Sequence, residues 1–376
     1  MKHKKVYKKP GMNKHMSKRS KHAKQYKGKF QMKSQMKSHT KTHIQSSSSV
    51  NKNSLCAPFV DTNSLSSNKK LTKKNQNIIN SAHDESCFSI EALRKIASKW
   101  NETNSSNQSM QTMQTMHIKF DDNTSGKQLW SLINNVMSGK CKNEICWMKQ
   151  SFIKDSPLAR ELLKNFKPMM PKKWVSNPIE WLNTIDIRDV MNQYEIKYPE
   201  FEFIGPVPMD FDTKVGFGQC VVDELCNVKI DKLFKKGDTK LGVIFNLDKH
   251  TQSGSHWVAM YANLAGGSNG DKHGVKHGDK HGEICYWDSY GMKPNNEVVV
   301  LMERLKKQGA EMGKTLDIKI NKIRHQYKNS ECGVYCIYFI TSLLDGHSFE
   351  SVVQNIIADD DMNAKRPDYF NKNMDD

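Results

Sequence analysis

The 376-residue sequence predicts an α+β fold preceded by a basic tail. Three observations carry that expectation. Residues 1–80 hold 20 Lys and Arg against a single acid, Asp61. Helical spacing dominates from Ser86 to about Tyr194, and four runs rich in β-branched and aromatic residues follow, interleaved with and closed by helices. Only 37% of the chain is apolar, and the deficit lies in the tail. The other 296 residues carry 38 bases and 39 acids, so the net charge of +18 belongs to an extension on a near-neutral body.

From Met1 to Lys74 the chain is mostly Lys, His, Ser, Asn and Gln, with too few aliphatics to offset the entropy of ordering it. Disorder is therefore expected over residues 1–80. A block of like charge attracts DNA or another polyanion by counterion release without reading sequence, which makes non-specific polyanion association the partner expected there. Nine cysteines, an odd and scattered set, with no apolar signal segment at the N-terminus, point to a reducing compartment. No apolar run approaches bilayer-spanning length, so no membrane insertion is expected.

A helix is predicted from Ser86 to Asn101, where Ile90, Leu93, Ile96 and Ala97 share a face, followed by a polar linker over 104–115. Further helices are predicted over Gly126–Met137 and Ala159–Phe166, completing a helical lobe over 81–172. Pro178 fits the first turn of a longer helix running to about Tyr194, with Asn177 as its cap. Strands are predicted over Gly242–Leu247, His256–Ala262, Glu283–Asp288 and Leu316–Ile320. A helix capped near Asn296 and stopped by Gly309 lies between the last two, and Cys332–Leu344 is the last helix that the pattern marks clearly, with Ser330 as its cap. These elements make up a second domain over 173–376. The glycine-rich stretch 266–282 repeats Lys-His-Gly three times between two strands and reads as a flexible loop; glycine after each of His273, His277 and His281 works against a preformed metal site. Cys141 and Cys146 lack the second pair that a zinc site needs.

The chemistry gathers in three segments. A thiol at a helix start faces unpaired N–H groups and the positive end of the helix dipole, which favours the thiolate, and Cys332 has that placement. His256 heads one strand and Asp288 ends the next, so adjacent strands would let the carboxylate hold one imidazole nitrogen while the other faces the sulfur. Gln326, six residues before Cys332, offers a side-chain N–H to a developing oxyanion beside the Cys332 amide. Taken singly, each has a plainer reading: a structural histidine, a turn aspartate, a surface amide, a core cysteine. Cys336, one turn further on, reads as a small buried hydrophobe.

His256-Trp257, the turn Tyr286-Trp287-Asp288-Ser289-Tyr290-Gly291, and Gln326 ahead of Cys332-Gly333 resemble the signature of the SUMO protease and adenovirus protease clan of cysteine peptidases. Trp181-Leu182-Asn183 is similar to that family's Trp-Leu-Asn-Asp segment, with Thr184 in place of the second acid. The likeness covers about residues 175–345, and the segment 179–212 is more similar to the polyprotein-processing proteases of large DNA viruses, the African swine fever virus type. The resemblance implies a papain-like cysteine protease fold of the SUMO protease type, with Trp181 and Trp257 flanking a narrow tunnel for a Gly-Gly tail. It implies an endopeptidase that needs no cofactor or metal and cleaves after small residues, in Gly-Gly-X sites of viral structural polyproteins or core proteins during virion maturation. The expected location is then the virion or the host cytoplasm at a viral factory, or, for a non-viral protein, the cytoplasm or nucleus. Two rivals stand beside it: a deconjugating protease for SUMO or another ubiquitin-like modifier, and a polyanion-binding scaffold that keeps the fold without the activity.

Overall fold

The computed structural model describes residues 55–61, 79–82, 86–105, 117–265 and 281–372. The N-terminal part is helical. Helix Gly126–Met137 begins in a capping box, in which the Ser125 side chain accepts from Gln128 N and the Gln128 side chain accepts from Ser125 N. Its Leu129, Ile133 and Met137 bury against Leu93, Ile96 and Ala97 of helix Ile90–Ser105, and Phe88, Trp147 and Phe166 close the same core. Two short strands, β1 (Val60–Asp61) and β2 (Ile79–Asn80), pair in parallel beside it.

The rest is built on a five-stranded sheet in the order β3 (Phe201–Pro208), β4 (Lys240–Asn246), β5 (Trp257–Asn263), β6 (His281–Trp287), β7 (Thr315–Ile320). The β4–β5 and β5–β6 pairs are antiparallel, and the outer pairs parallel. Successive strand residues face opposite sides, so the sheet is covered twice. On one side Val243, Phe245, Val258, Met260, Ile284 and Tyr286 pack against helix Asn296–Glu311; on the other Ile244, Ala259, Tyr261, Cys285 and Trp287 pack against helix Cys332–Leu344. That last helix is apolar on nearly every face because it is enclosed on nearly every face.

Several boundaries differ from expectation. The helix predicted from Pro178, with Asn177 as its cap, begins at Thr184, because Asn183 caps it: its side chain accepts from Ile185 N and Asp186 N, and Asp186 accepts from Asn183 N. Trp181 therefore precedes the helix instead of riding on it. Gly309 does not stop helix Asn296–Glu311; it lies inside it, where a Cβ would come within 2.6 Å of the Leu316 side chain. Ser330 does not cap Cys332–Leu344; Glu331 occupies that position without a side-chain cap bond. Strand β3 went unpredicted since Gly205, Pro206 and Pro208 break its pattern, and an edge strand tolerates proline because its outer amides need no partner.

The expectation of disorder over residues 1–80 does not hold at 55–60. Residues 55–60, the one apolar run in that region, belong to the helical core, with Ala57 and Phe59 buried, Ala57 N donating to Asn165 O at 2.8 Å and Lys167 N to Leu55 O at 3.0 Å. Residues 1–50, and most of the Lys-His-Gly stretch with His273 and His277, lie outside the described residues. The reducing-compartment expectation meets a contrary finding, because six of the nine cysteines are paired: Cys56–Cys87, Cys141–Cys146 and Cys220–Cys226, with Cα separations of 5.1, 5.4 and 6.3 Å. An odd count leaves room for pairs that only proximity reveals.

The Cys56–Cys87 bond closes a separation of 31 residues and staples the 55–60 segment to the lobe. On chain entropy alone such a loop closure stabilises by roughly 3–4 kcal/mol. Denaturant unfolding followed by tryptophan fluorescence should show Cys56→Ser unfolding at markedly lower denaturant than the oxidised wild type. A midpoint unchanged by the substitution would remove the staple from the lobe's stability.

Candidate active site

His256 immediately precedes β5 and Asp288 immediately follows β6. The antiparallel register, Ala259 opposite Trp287, brings those two ends to the same edge of the sheet. His256 Nε2 lies 2.9 Å from Asp288 Oδ1, with both residues buried. The Lys-His-Gly insertion joins the other ends of the same two strands, so it lengthens the hairpin's connection without disturbing the pair. Cys332 is 1% exposed, opens the central helix and lies within interaction range of the His256 side chain. With Nε2 taken by Asp288, Nδ1 is the nitrogen left for the thiol.

Burial alone would pull the imidazole's affinity for its proton down. The hydrogen bonds to Asp288 and Cys332 and the negative charge of both outweigh burial and push His256 up to about 9. The site thus favours the protonated imidazole.

Gln326 is wholly buried, and its amide is oriented by its oxygen: Ser289 Oγ donates to Oε1 at 2.6 Å. Its Nε2 finds no acceptor among the described residues. A buried amide N–H without a partner costs free energy, and such a donor is suited to an oxygen that arrives later. The Gln326 backbone is held as well, its N–H on Ser289 O at 2.9 Å and its carbonyl accepting from Arg324 Nε at 2.7 Å.

The two tryptophans separate in character. Trp257 is buried and donates its indole N–H to Leu182 O at 2.9 Å, whereas Trp181 is 38% exposed. Gly333 lies beneath that bridge; a Cβ there would sit 3.0 Å from Leu182 Cβ and 3.3 Å from Trp257 Cδ1. Cys336 and Cys285 are buried elsewhere in the core, and burial pushes both thiols well above their ordinary value. No group of three metal-ligating side chains occurs among the described residues.

Three site residues escaped sequence reasoning. Ser289 aligns Gln326; Tyr290 stacks on the His256 ring at 4.6 Å and donates its amide to Asp288 Oδ1 at 2.8 Å; Asn321 donates its side-chain N–H to Asp288 O at 2.9 Å. The turn Asp288-Ser289-Tyr290-Gly291 was legible as a motif, but the separate task of each residue was not. Gly291 makes that turn possible, with φ at +70° and the backbone of Ile323 2.9 Å from where a Cβ would stand.

Because the folded value of His256 lies above the ordinary imidazole value of 6.5, its protonation stabilises the fold fully below pH 6.5, and that contribution is lost as pH rises through about 9. An NMR titration of the imidazole should find it protonated through neutrality and releasing its proton at about pH 9. Asp288→Asn should lower that value. An unchanged titration in the Asn variant would show that the carboxylate does not hold the charge.

The profile of the Ulp1 protease family C-terminal catalytic domain matches residues 230–375, a span that contains His256, Asp288, Gln326 and Cys332. A protein of Acanthamoeba polyphaga mimivirus named as a thiol protease is 31% identical over 300 residues, covering 76% of this chain and 89% of its own. The SUMO-1 cysteine protease of African swine fever virus is 26% identical over 257 residues, covering 65% of this chain and 88% of the viral protein. The crystal structure of the African swine fever virus protease aligns with 66% of this chain and 89% of its own at 24% identity and a TM-score of 0.48. Identity at that level, sustained across nearly the whole mimivirus protein, means that the chain belongs to the Ulp1 protease family and is a cysteine-type peptidase with that family's mixed helix-and-sheet fold.

Proposed function

We propose that the chain is an endopeptidase in which Cys332 is the nucleophile, His256 the general base and acid, Asp288 the group that holds the imidazole, and Gln326 with the Cys332 amide the oxyanion donors. The observation that carries this reading is the unpartnered N–H of buried Gln326, whose oxygen is held by Ser289 next to the Asp288 that bonds His256. In the cycle, the thiolate sulfur bonds to the scissile carbonyl carbon and the oxyanion settles on the two N–H donors. The imidazolium gives its proton to the leaving amine as the C–N bond breaks. Water, deprotonated by His256, then attacks the acyl-enzyme and releases Cys332.

The substrate would enter between Trp181 and Trp257 with a small residue, the second Gly of Gly-Gly-X, before the scissile bond. The Leu182 segment crowded over Gly333 supports this narrowness. Viral structural polyproteins or core proteins are the substrates this reading favours, since the relatives described above are viral. Deconjugation of a ubiquitin-like modifier is the second reading, favoured by the name of the African swine fever virus relative.

Incubation of the wild type, Cys332→Ala and Gln326→Ala with Gly-Gly-Xaa peptides and modifier precursors, with fragments read by mass, separates these readings. Wild type should cut after Gly-Gly, Cys332→Ala should not, and Gln326→Ala should lose on the order of 10²–10³ in kcat. Equal cleavage by wild type and Cys332→Ala would discard the nucleophile assignment, and preference for modifier precursors over peptides would select deconjugation.

Residues 1–50 carry 15 Lys and Arg and no acid, which motivates a role in holding the enzyme near packaged nucleic acid. Deleting 1–50 should abolish salt-sensitive retention on DNA while peptide cleavage continues. Retention that survives the deletion would refute that role.

A further inference from the structure

Glu331 directly precedes Cys332 and is 1% exposed. Carboxylates at a helix start commonly accept from the first amides, but this one makes no cap bond and turns to Arg366. Arg366 Nε donates to Glu331 Oε2 at 3.1 Å and Nη2 to Oε1 at 3.0 Å, while Asn363 Nδ2 donates to the same Oε1 at 2.9 Å. The guanidinium also donates from Nη2 to Glu180 O at 2.7 Å and lies 4.5 Å from the centre of the Trp174 ring. Arg366 is itself 3% exposed. On the other flank of the same loop, Asp359 Oδ2 accepts from Tyr327 N at 2.9 Å and Lys328 N at 3.0 Å.

We propose that Arg366 is a positioning residue for Cys332: it neutralises the carboxylate buried beside the helix start, so that the sulfur ionises without a second uncompensated negative charge next to it. Through Glu180 O the same guanidinium anchors the segment that presents Trp181. The electrostatic reason is that a like charge close by in a poorly solvated site disfavours ionisation, and a buried carboxylate stripped of its partner is such a charge. The turn of Glu331 toward Arg366 also leaves the first amides of the helix free for the sulfur and the oxyanion. The other groups in these fields are Lys328 and Tyr335 around Glu331, and Glu180 and Asp186 around Arg366. Lys328 pairs with Asp360, and the Glu180 carboxylate with Lys173, so neither replaces the Glu331–Arg366 contact.

The inference rests on Cys332 being the nucleophile, and the test keeps the two apart. Full-length protein is treated with iodoacetamide across pH 5–10, and the rate is followed by mass on the peptide that carries Cys332. Wild-type Cys332 should react ahead of the buried Cys285 and Cys336; if it does not, the active-site reading fails. Given that reactivity, Arg366→Met should slow alkylation at neutral pH at least tenfold and displace the rate profile to higher pH. Glu331→Gln should do the opposite, and E331Q/R366M should return toward wild type. A merely structural role would slow all three together and displace none. Arg366→Lys keeps the charge but loses the fork, so alkylation should stay near wild type while KM for a Gly-Gly-Xaa peptide rises several-fold. The proposal is overturned if the Arg366→Met profile superimposes on wild type, or if the Lys variant slows as the Met variant does. Should Arg366→Met fail to fold, Glu331→Gln decides alone: a profile that is unmoved, or moved to higher pH, overturns it.

Discussion

A buried imidazole keeps its proton only when a partner offsets the loss of water, and the 2.9 Å contact from His256 to Asp288 does that here. The contact exists because two antiparallel strands end at one edge of the sheet, and β5 is buried along its whole length between helical layers. A slip of one residue between β5 and β6 would turn every side chain to the other face and separate the pair. The apolar layers around the sheet therefore serve the chemistry indirectly, by making that register the one that buries Ala259, Tyr261, Cys285 and Trp287 together.

Polar order propagates outward from the pair. Asp288 receives Tyr290 N and holds Asn321, Ser289 fixes Gln326, and Gln326 receives Arg324, so each buried polar atom is oriented by the next. The Nε2 of Gln326 stands out because the other polar atoms of the same residue are all held and it is not. The C-terminal residues then hold the loop between Gln326 and Cys332 from outside, with Asp359 near its start and Arg366 at its end. Further back, Asn371 donates to Leu55 O at 2.8 Å and Lys167 O at 3.1 Å, which ties the 55–60 segment and the end of the helical lobe to the same C-terminal stretch.

Legibility varied with the range of the interactions. Strands β4 to β7 and helix Cys332–Leu344 announced themselves through continuous β-branched, aromatic or apolar runs, and their limits moved by two residues or fewer. The Asn183 cap was misplaced because Pro178 with Asn177 is an equally good local signal, and only the contacts of Asp186 decide between them. Strand β3 was hidden by its prolines, whose acceptability depends on edge position. The cysteine pairs and the burial of Phe59 were hidden for a related reason: a short apolar run inside a polar stretch is stabilised only by a core elsewhere in the chain.

From its residues alone this protein declared its reaction type, since a thiol at a helix start, a histidine, an aspartate and a glutamine at those spacings are chemical identities written in the chain. What tertiary structure decided was the state and setting of those groups: which imidazole nitrogen meets the carboxylate, that its partners overcome burial and push His256 up to about 9, and that Arg366 closes on Glu331. The division has a physical origin. Reactivity belongs to functional groups, which sequence lists, whereas protonation, desolvation and unpaired donors depend on distances between residues that are remote along the backbone, such as Glu331 and Arg366 at a separation of 35.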